Sequence, residues 1–371
     1  MKQQKHRVFG LDVLRAIAIT LVVVSHTTYL LFPETEHVLI TLIRAMGAVG
    51  VDLFFVLSGF LIGGILLKNI QNNKTRFPDL ILFFKRRWLR TLPNYFVVLL
   101  LNIIVFLIVS GSLPESIASY FVFLQNFTTP HPNFFTEAWS LSIEEYAYVL
   151  LPILLYVFLA LFPKKEKSKL FLYTTVAIIL GLLLLKINYY LNTGVVDYKQ
   201  WSATFRKVVI YRLGSIYIGF LVVYFYRKYT HFWSKNRNKF AILGMLFFIG
   251  LHFFIQQTKA TPQTYLAFYV FVYLQGVVVS LACLFPYAIA LKSNAQIKQI
   301  IEYISTRSYA IYLINYSIVL LTVAHFFKDS ATPLQKVTSV LVYLVVTILL
   351  TEVLYRFIEQ PILRYRDKKQ K

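Results

Sequence analysis

Residues 8–32 read VFGLDVLRAIAITLVVVSHTTYLLF, apolar and long enough for a helix that crosses a bilayer, whose hydrocarbon core takes about 20 residues. Within it stand Asp12, Arg15 and His26. A charged side chain near the middle of a spanning helix costs on the order of 2.5–3.5 kcal/mol on insertion scales, so an ionisable group there points to function by default. At about 100° per residue, Arg15 and His26 return to within roughly 20° of one face, separated by roughly 16 Å along the axis. Asp12, one turn before Arg15, lies near that face too. A polar stripe therefore runs from the start of this helix well into the membrane.

Working outward, 58% of the 371 residues are hydrophobic and the mean hydropathy is +0.63, far above the roughly 45–50% apolar share of a soluble domain. Apolar runs of spanning length fall at about 8–32, 45–67, 92–110, 146–162, 170–191, 208–226, 240–257, 265–291, 308–327 and 337–357. The expected fold is all-α: a polytopic membrane bundle of about ten transmembrane helices. With no linker, low-complexity tract or internal repeat, it is expected to be one integral-membrane domain over 1–371. Lys2, Lys5 and Arg7 give the N-terminus the basic flank of a signal peptide, but the apolar run is too long and is interrupted by charge, so it reads as a retained span.

A net charge of +22 raises the question of nucleic acid. The basic residues, however, gather between apolar runs, in the N-terminus, 68–91, 163–169, 227–239, 292–307 and the C-terminal tail. That is how lysine and arginine mark cytoplasmic loops, so both termini are expected in the cytoplasm, with the lipid bilayer and no nucleic acid as partner. Cys283 is the only cysteine, which excludes an intrachain disulfide and a cysteine-based metal cluster. No metal is expected. The apolar piece 116–127 is too short to span and is expected to be re-entrant or interfacial.

The second run contains RAMGAVGVDLFFVLSGFLIGG, residues 44–64, where Gly47, Gly50, Ser58, Gly59, Gly63 and Gly64 allow another helix to approach closely. Asp52, in the same apolar layer, needs a partner or water. The next loop ends in FFKRRWLRTLPNYF, residues 83–96, placing Arg86, Arg87 and Arg90 on one helical face. Guanidinium forks bind phosphate oxygens bidentately, although topology alone also favours basic residues here. In the stretch 128–152, TTPHPNFFTEAWSLSIEEYAYVLLP, Trp139, Glu144 and Glu145 stand where the fourth helix begins. Ser142 and Glu145 have capping-box spacing, which would account for Glu145. Glu144 has only the helix dipole to explain it. His131, between two prolines, is expected to be an exposed loop residue.

Four motifs taken together resemble the integral-membrane acyltransferase-3 family, whose members acylate extracytoplasmic polysaccharides and related acceptors. They are Arg15-x10-His26, GVDLFFVLSGF at 50–60, Arg87-x-x-Arg90 followed by Pro93, and WSLSIEE at 139–145. The closing FIEQP at 357–361 looks similar as well. The resemblance implies an O-acyltransferase of a bacterial cytoplasmic membrane. It would move an acyl group, most commonly acetyl, from acetyl-CoA or another acyl-CoA to a hydroxyl of an extracytoplasmic glycan acceptor. Residue by residue, it implies His26 as catalytic base, with Asp12 and Glu144 completing the candidate catalytic set. Arg15, Arg87 and Arg90 would hold acyl-CoA, and Asp52, Ser58 and Trp139 would belong to the acceptor or transfer site. Relatives often carry a histidine in the ninth span where this chain has Asn315, which cannot titrate, so the ninth span is left out of the expected catalytic set. Some relatives also have a fused exterior hydrolase-like domain. The sequence reaches Lys371 without one, giving the expectation that transfer is completed by the bundle or by a separate exterior partner.

The chemistry agrees with this assignment. A sugar hydroxyl needs a base with a pKa near 7 to become a nucleophile, and a thioester needs positive charge or donors where its oxyanion develops. A multi-span transporter with an Asp/Arg/His polar pathway is the rival reading. It predicts a repeat across two halves, and none is visible here.

Overall fold

The computed structural model describes residues 7–35, 37–328 and 332–368. Among the described residues, ten helices are long and apolar enough to cross a membrane: α1 Phe9–Leu31, α2 Val38–Gln71, α3 Phe77–Ser110, α4 Ala138–Leu161, α5 Lys167–Asn192, α6 Val209–Lys228, α7 Arg237–Thr258, α8 Phe268–Ile289, α9 Ala295–Phe326 and α10 Pro333–Lys368. No strand forms among the described residues. The chain is a multi-pass integral membrane protein, as the apolar runs predict.

The helices extend beyond those runs. The basic segment expected as loop is already the first turns of α3, which opens with Pro78 in its first turn and the Asp79 carboxylate accepting from the Arg76 backbone N–H. Likewise α4 starts at Ala138 and not near 146, so WSLSIEE is helical. The capping-box expectation for Ser142 and Glu145 is thereby overturned. Ser142 Oγ donates to Ala138 O at 3.3 Å and accepts from Gln125 Nε2 at 2.6 Å, while Glu145 accepts from Thr91 Oγ1 at 3.2 Å. Tertiary partners meet Ser142 and one oxygen of Glu145, so the helix can begin before the apolar run does.

The most enclosed span is α2, because its glycines let two neighbours touch its backbone. A Cβ on Gly50 would lie 2.5 Å from Ala18 O of α1, and one on Gly59 would lie 2.0 Å from Ile216 O of α6. At the turn joining α1 to α2, Arg44 donates to the carbonyls of Phe32 and Thr35. These take the place of helical partners that carbonyls near the end of α1 lack. On its other side α1 meets α9, with Arg15 on Ser305 and His26 on Asn315. Both contacts advance together along the two chains, so α1 and α9 run in the same direction, as an alternating bundle requires of spans one and nine.

Within 116–127, a five-residue helix, Ile117–Phe121, is followed by chain tied back onto the bundle. Asn126 Nδ2 donates to Trp139 O and Lys207 O. His131 is half-buried rather than exposed: its Nδ1–H donates to Pro132 O at 2.7 Å and its ring meets Tyr120 edge-on at 5.6 Å.

Candidate active site

At the end of the bundle where α1 begins and α10 ends, a cavity of about 670 Å³ opens between α1, α2, α3, α4, α9 and α10. Five arginines line it, Arg7, Arg15, Arg87, Arg90 and Arg366, against three carboxylates, Asp12, Glu144 and Glu359. The excess of guanidinium suits a polyanionic ligand.

One wall is built by α1. Asp12 accepts a fork from Arg7 at 2.6 and 3.0 Å, a bond from Arg15 at 3.0 Å and one from Ser305 Oγ at 2.6 Å. With its oxygens so engaged, the carboxylate fixes two guanidiniums over the cavity. Arg15 Nη1 also donates to Ser305 Oγ at 2.9 Å, which sets the arginine against α9.

The facing wall joins groups expected in separate donor, acceptor and catalytic sites. Glu144 accepts from Ser58 Oγ at 2.9 Å, Tyr148 OH at 3.1 Å and Arg87 Nη2 at 3.3 Å. The Arg87 guanidinium lies 4.1 Å from the centre of the Tyr148 ring. Arg90, by contrast, lines the cavity with no hydrogen bond among the described residues. Arg15, Arg87, Glu359 and Arg366 line the same cavity. Arg90 is thus the open fork of the pair. Glu359, from the FIEQP segment, accepts from Asn94 at 2.9 Å.

The cavity's inner end is marked by Tyr312, whose hydroxyl meets Ser140 Oγ at 2.6 Å. One turn further along α9 lies Asn315, 2.5 Å from His26 Nδ1. The Asn315 amide donates to Ile311 O and Tyr312 O at 2.8 and 2.9 Å, so its Oδ1 must be the acceptor and His26 Nδ1 must carry the hydrogen. Nε2 is then the lone-pair nitrogen, with no hydrogen bond among the described residues. A π-helical turn, Asn315–Leu320, starts at this point, a local widening common at functional sites. The ninth span, left out of the expected set, contributes Ser305, Tyr312 and Asn315.

Three expected residues lie outside the cavity lining: His26, beyond Tyr312, and Asp52 and Trp139. Asp52 forms a buried ion pair with Arg212 of α6. Trp139 packs edge-on against Phe55 at 6.0 Å with the Arg206 guanidinium 5.3 Å from its ring. The sequence reading missed Glu359, Tyr148, Tyr312 and Arg212 as site or site-wall residues. The rule that singled out Asp52 applies equally to Arg212, a charge inside the run 208–226. Asn315 is visible in the sequence but falls outside a catalytic set restricted to titratable groups.

The family pattern described as an acyltransferase domain matches residues 8–356. The chain belongs to the acyltransferase-3 family. Over 95% of its length it is 29% identical to the peptidoglycan O-acetyltransferase OatA of Listeria monocytogenes, covering 55% of that protein. It is 24% identical over 97% of its length to the putative peptidoglycan O-acetyltransferase YrhL of Bacillus subtilis, covering 56%, and 27% identical over 95% to O-acetyltransferase OatA of Staphylococcus aureus, covering 57%. The chain therefore spans a little over half the length of these acyltransferase-3 relatives. No solved structure matches it significantly.

Proposed function

We propose that this chain is a membrane O-acetyltransferase that moves an acetyl group from cytoplasmic acyl-CoA to a hydroxyl of a cell-wall glycan outside, with His26 as the general base. We read residues 1–371 as one acyltransferase unit of a bacterial cytoplasmic membrane, with both termini inside. The names of the relatives support the acetyl group, and two of them the peptidoglycan-type acceptor. The observation that carries the mechanism is the hydrogen bond from His26 Nδ1 to Asn315 Oδ1, which leaves Nε2 as the basic nitrogen.

In this reading Arg15, Arg87 and Arg90 bind the CoA phosphates, and the thioester arm reaches past Tyr312 towards His26. Nε2 takes the acceptor hydroxyl's proton as its oxygen attacks the thioester carbonyl. The ester C–O bond forms, the C–S bond breaks, and the proton passes from Nε2 to the departing thiolate. Asp12 holds the arginines, while Glu144 keeps Arg87 and Ser58 in register, so both act here through their neighbours.

The test is transfer of labelled acetyl from acetyl-CoA to a peptidoglycan fragment by purified protein and by His26→Gln. Removing a general base typically costs about 10²–10⁴-fold in rate. Turnover should fall by that factor while acetyl-CoA binding is kept. Near-normal turnover by the folded variant would place the base elsewhere.

A further inference from the structure

Across Phe55 and Trp139 from the arginine cavity lies a second cationic cluster that the reaction above does not use. Its anchor is the buried pair of Asp52 and Arg212. Arg212 is only 1% exposed, yet its Nε and Nη1 have no acceptor. Lys186 of α5, 6% exposed, forms no hydrogen bond or ion pair among the described residues and lies within reach of the Arg212 charge. Arg206, half-buried just before α6, adds a third cation near Asp52 and Arg212. Asp52 is the one carboxylate these cations meet among the described residues.

Arg212 keeps one bond to Asp52 and Arg206 Nε one to Ser202 Oγ at 2.9 Å, so the unmatched groups are Arg212 Nε and Nη1 and the Lys186 ammonium, and buried donors left without acceptors call for one supplied from outside the chain. The location narrows what that acceptor is. Lys186 is near the end of α5, Arg206 just before α6 and Trp139 in the first turn of α4, helix ends that an alternating bundle puts on the side opposite the start of α1, although Ser140, next to Trp139, still lines the arginine cavity. An anion held here belongs to whatever enters from the side opposite the acyl donor.

We infer that Arg206, Arg212 and Lys186 form an anion site that takes a carboxylate of the glycan acceptor, with the Trp139 indole beside it as a face for the sugar ring. This rests on the acceptor side of the proposed function. A guanidinium fork matches a carboxylate bidentately, and the salt bridge to Asp52 occupies only one of the Arg212 nitrogens. The site would select acidic glycans over neutral ones of the same size and fix the sugar before its hydroxyl meets His26.

The experiment measures equilibrium binding, by tryptophan fluorescence of the full chain in detergent, of an acidic muropeptide fragment and of the same fragment with its carboxylates methyl-esterified. No donor is added and no turnover is read, so failure of the acyl-transfer mechanism leaves this test standing. The acid should bind about tenfold or more tightly than the ester, the range of a charge-assisted hydrogen bond. Arg206→Gln and Lys186→Met should each bring the acid close to the ester's affinity without changing the ester's. Lys186→Met removes an unpaired buried charge, so it should fold at least as well as the parent. Equal binding of acid and ester, undiminished discrimination in both variants, or no binding of the acid overturns the inference. So does stabilisation by free acetate without discrimination between the fragments, which would make this a site for small anions only.

Discussion

Asn315 decides which nitrogen of His26 is basic, and it does so without titrating. A residue that accepts at Nδ1 fixes both the tautomer and the plane of the ring. Replacing it with leucine keeps the volume but leaves the Nδ1–H unpaired and the ring free to turn. Acetyl transfer by Asn315→Leu should fall roughly 10²-fold, the cost of a misplaced reacting group, with acetyl-CoA affinity unchanged. An unaltered rate in the leucine variant would mean that the hydrogen bond has no part in catalysis. A second histidine works on stability instead. Burial pushes His131, in the loop before α4, down to about 4, opposed in part by its bond to Pro132 O. Above its ordinary pKa of about 6.5 the ring is neutral in both folded and unfolded chains. As pH falls from there towards 4, the unfolded chain takes up the proton and the folded one resists, so stability is lost across that window. His131→Phe should lose less of its thermal midpoint between pH 7.5 and pH 5 than the parent does. Identical losses would show that His131 does not set this limb.

Helix packing depends on two crossings that a single methyl group would block. A Cβ on Gly59 would sit 2.0 Å from Ile216 O, and one on Gly219 would sit 2.3 Å from Val56 O, so α2 and α6 touch backbone to backbone. Gly59→Ala must push the helices apart, and overpacking of this kind typically costs about 1–3 kcal/mol. Gly181→Ala on α5 meets open space and should be neutral or slightly stabilising, since alanine is the better helix former. Thermal unfolding in detergent separates the two; equal midpoints would rule out the close crossing. The glycines of α2 are legible in sequence because small residues in an apolar run have few other uses. The spans themselves are legible from hydropathy. What escapes is anything set by a neighbour distant in the chain. Asp12 and Arg15 pair one turn apart and can be read off the helix period. His26 with Asn315, Asp52 with Arg212 and Arg87 with Glu144 stand 289, 160 and 57 residues apart. No local pattern predicts which face of α9 or α6 will meet α1 or α2. The start of α4 escapes for the same reason, since its polar first turns are helical only because Gln125, Thr91 and Arg87 answer them.

At the scale of the molecule, charge is laid out along the membrane normal. The arginine cavity occupies the end where α1 begins, His26 lies roughly 16 Å beyond Arg15 along α1, and the Asp52–Arg212 pair lies between these levels, since Gly50, two residues before Asp52, packs on Ala18 of α1. Ten crossings return the chain to the side it started from, so the segments 72–76, 162–166, 229–236 and 290–294 share the side of the cavity. These segments and the helix ends beside them carry most of the basic residues, which the positive-inside rule assigns to the cytoplasm. In the proposed reaction the donor is cytoplasmic acyl-CoA, so the direction of transfer depends on this assignment. It can be tested with single cysteines in a Cys283→Ser background and a membrane-impermeant maleimide. Asn133 and Lys235 are both exposed and lie on opposite sides of the bundle. Asn133→Cys should be labelled in intact cells or protoplasts, and Lys235→Cys only after lysis. The reverse pattern would turn the arginine cavity towards the exterior, out of reach of any acyl-CoA, and His26 would then have to be served by a donor from the other side.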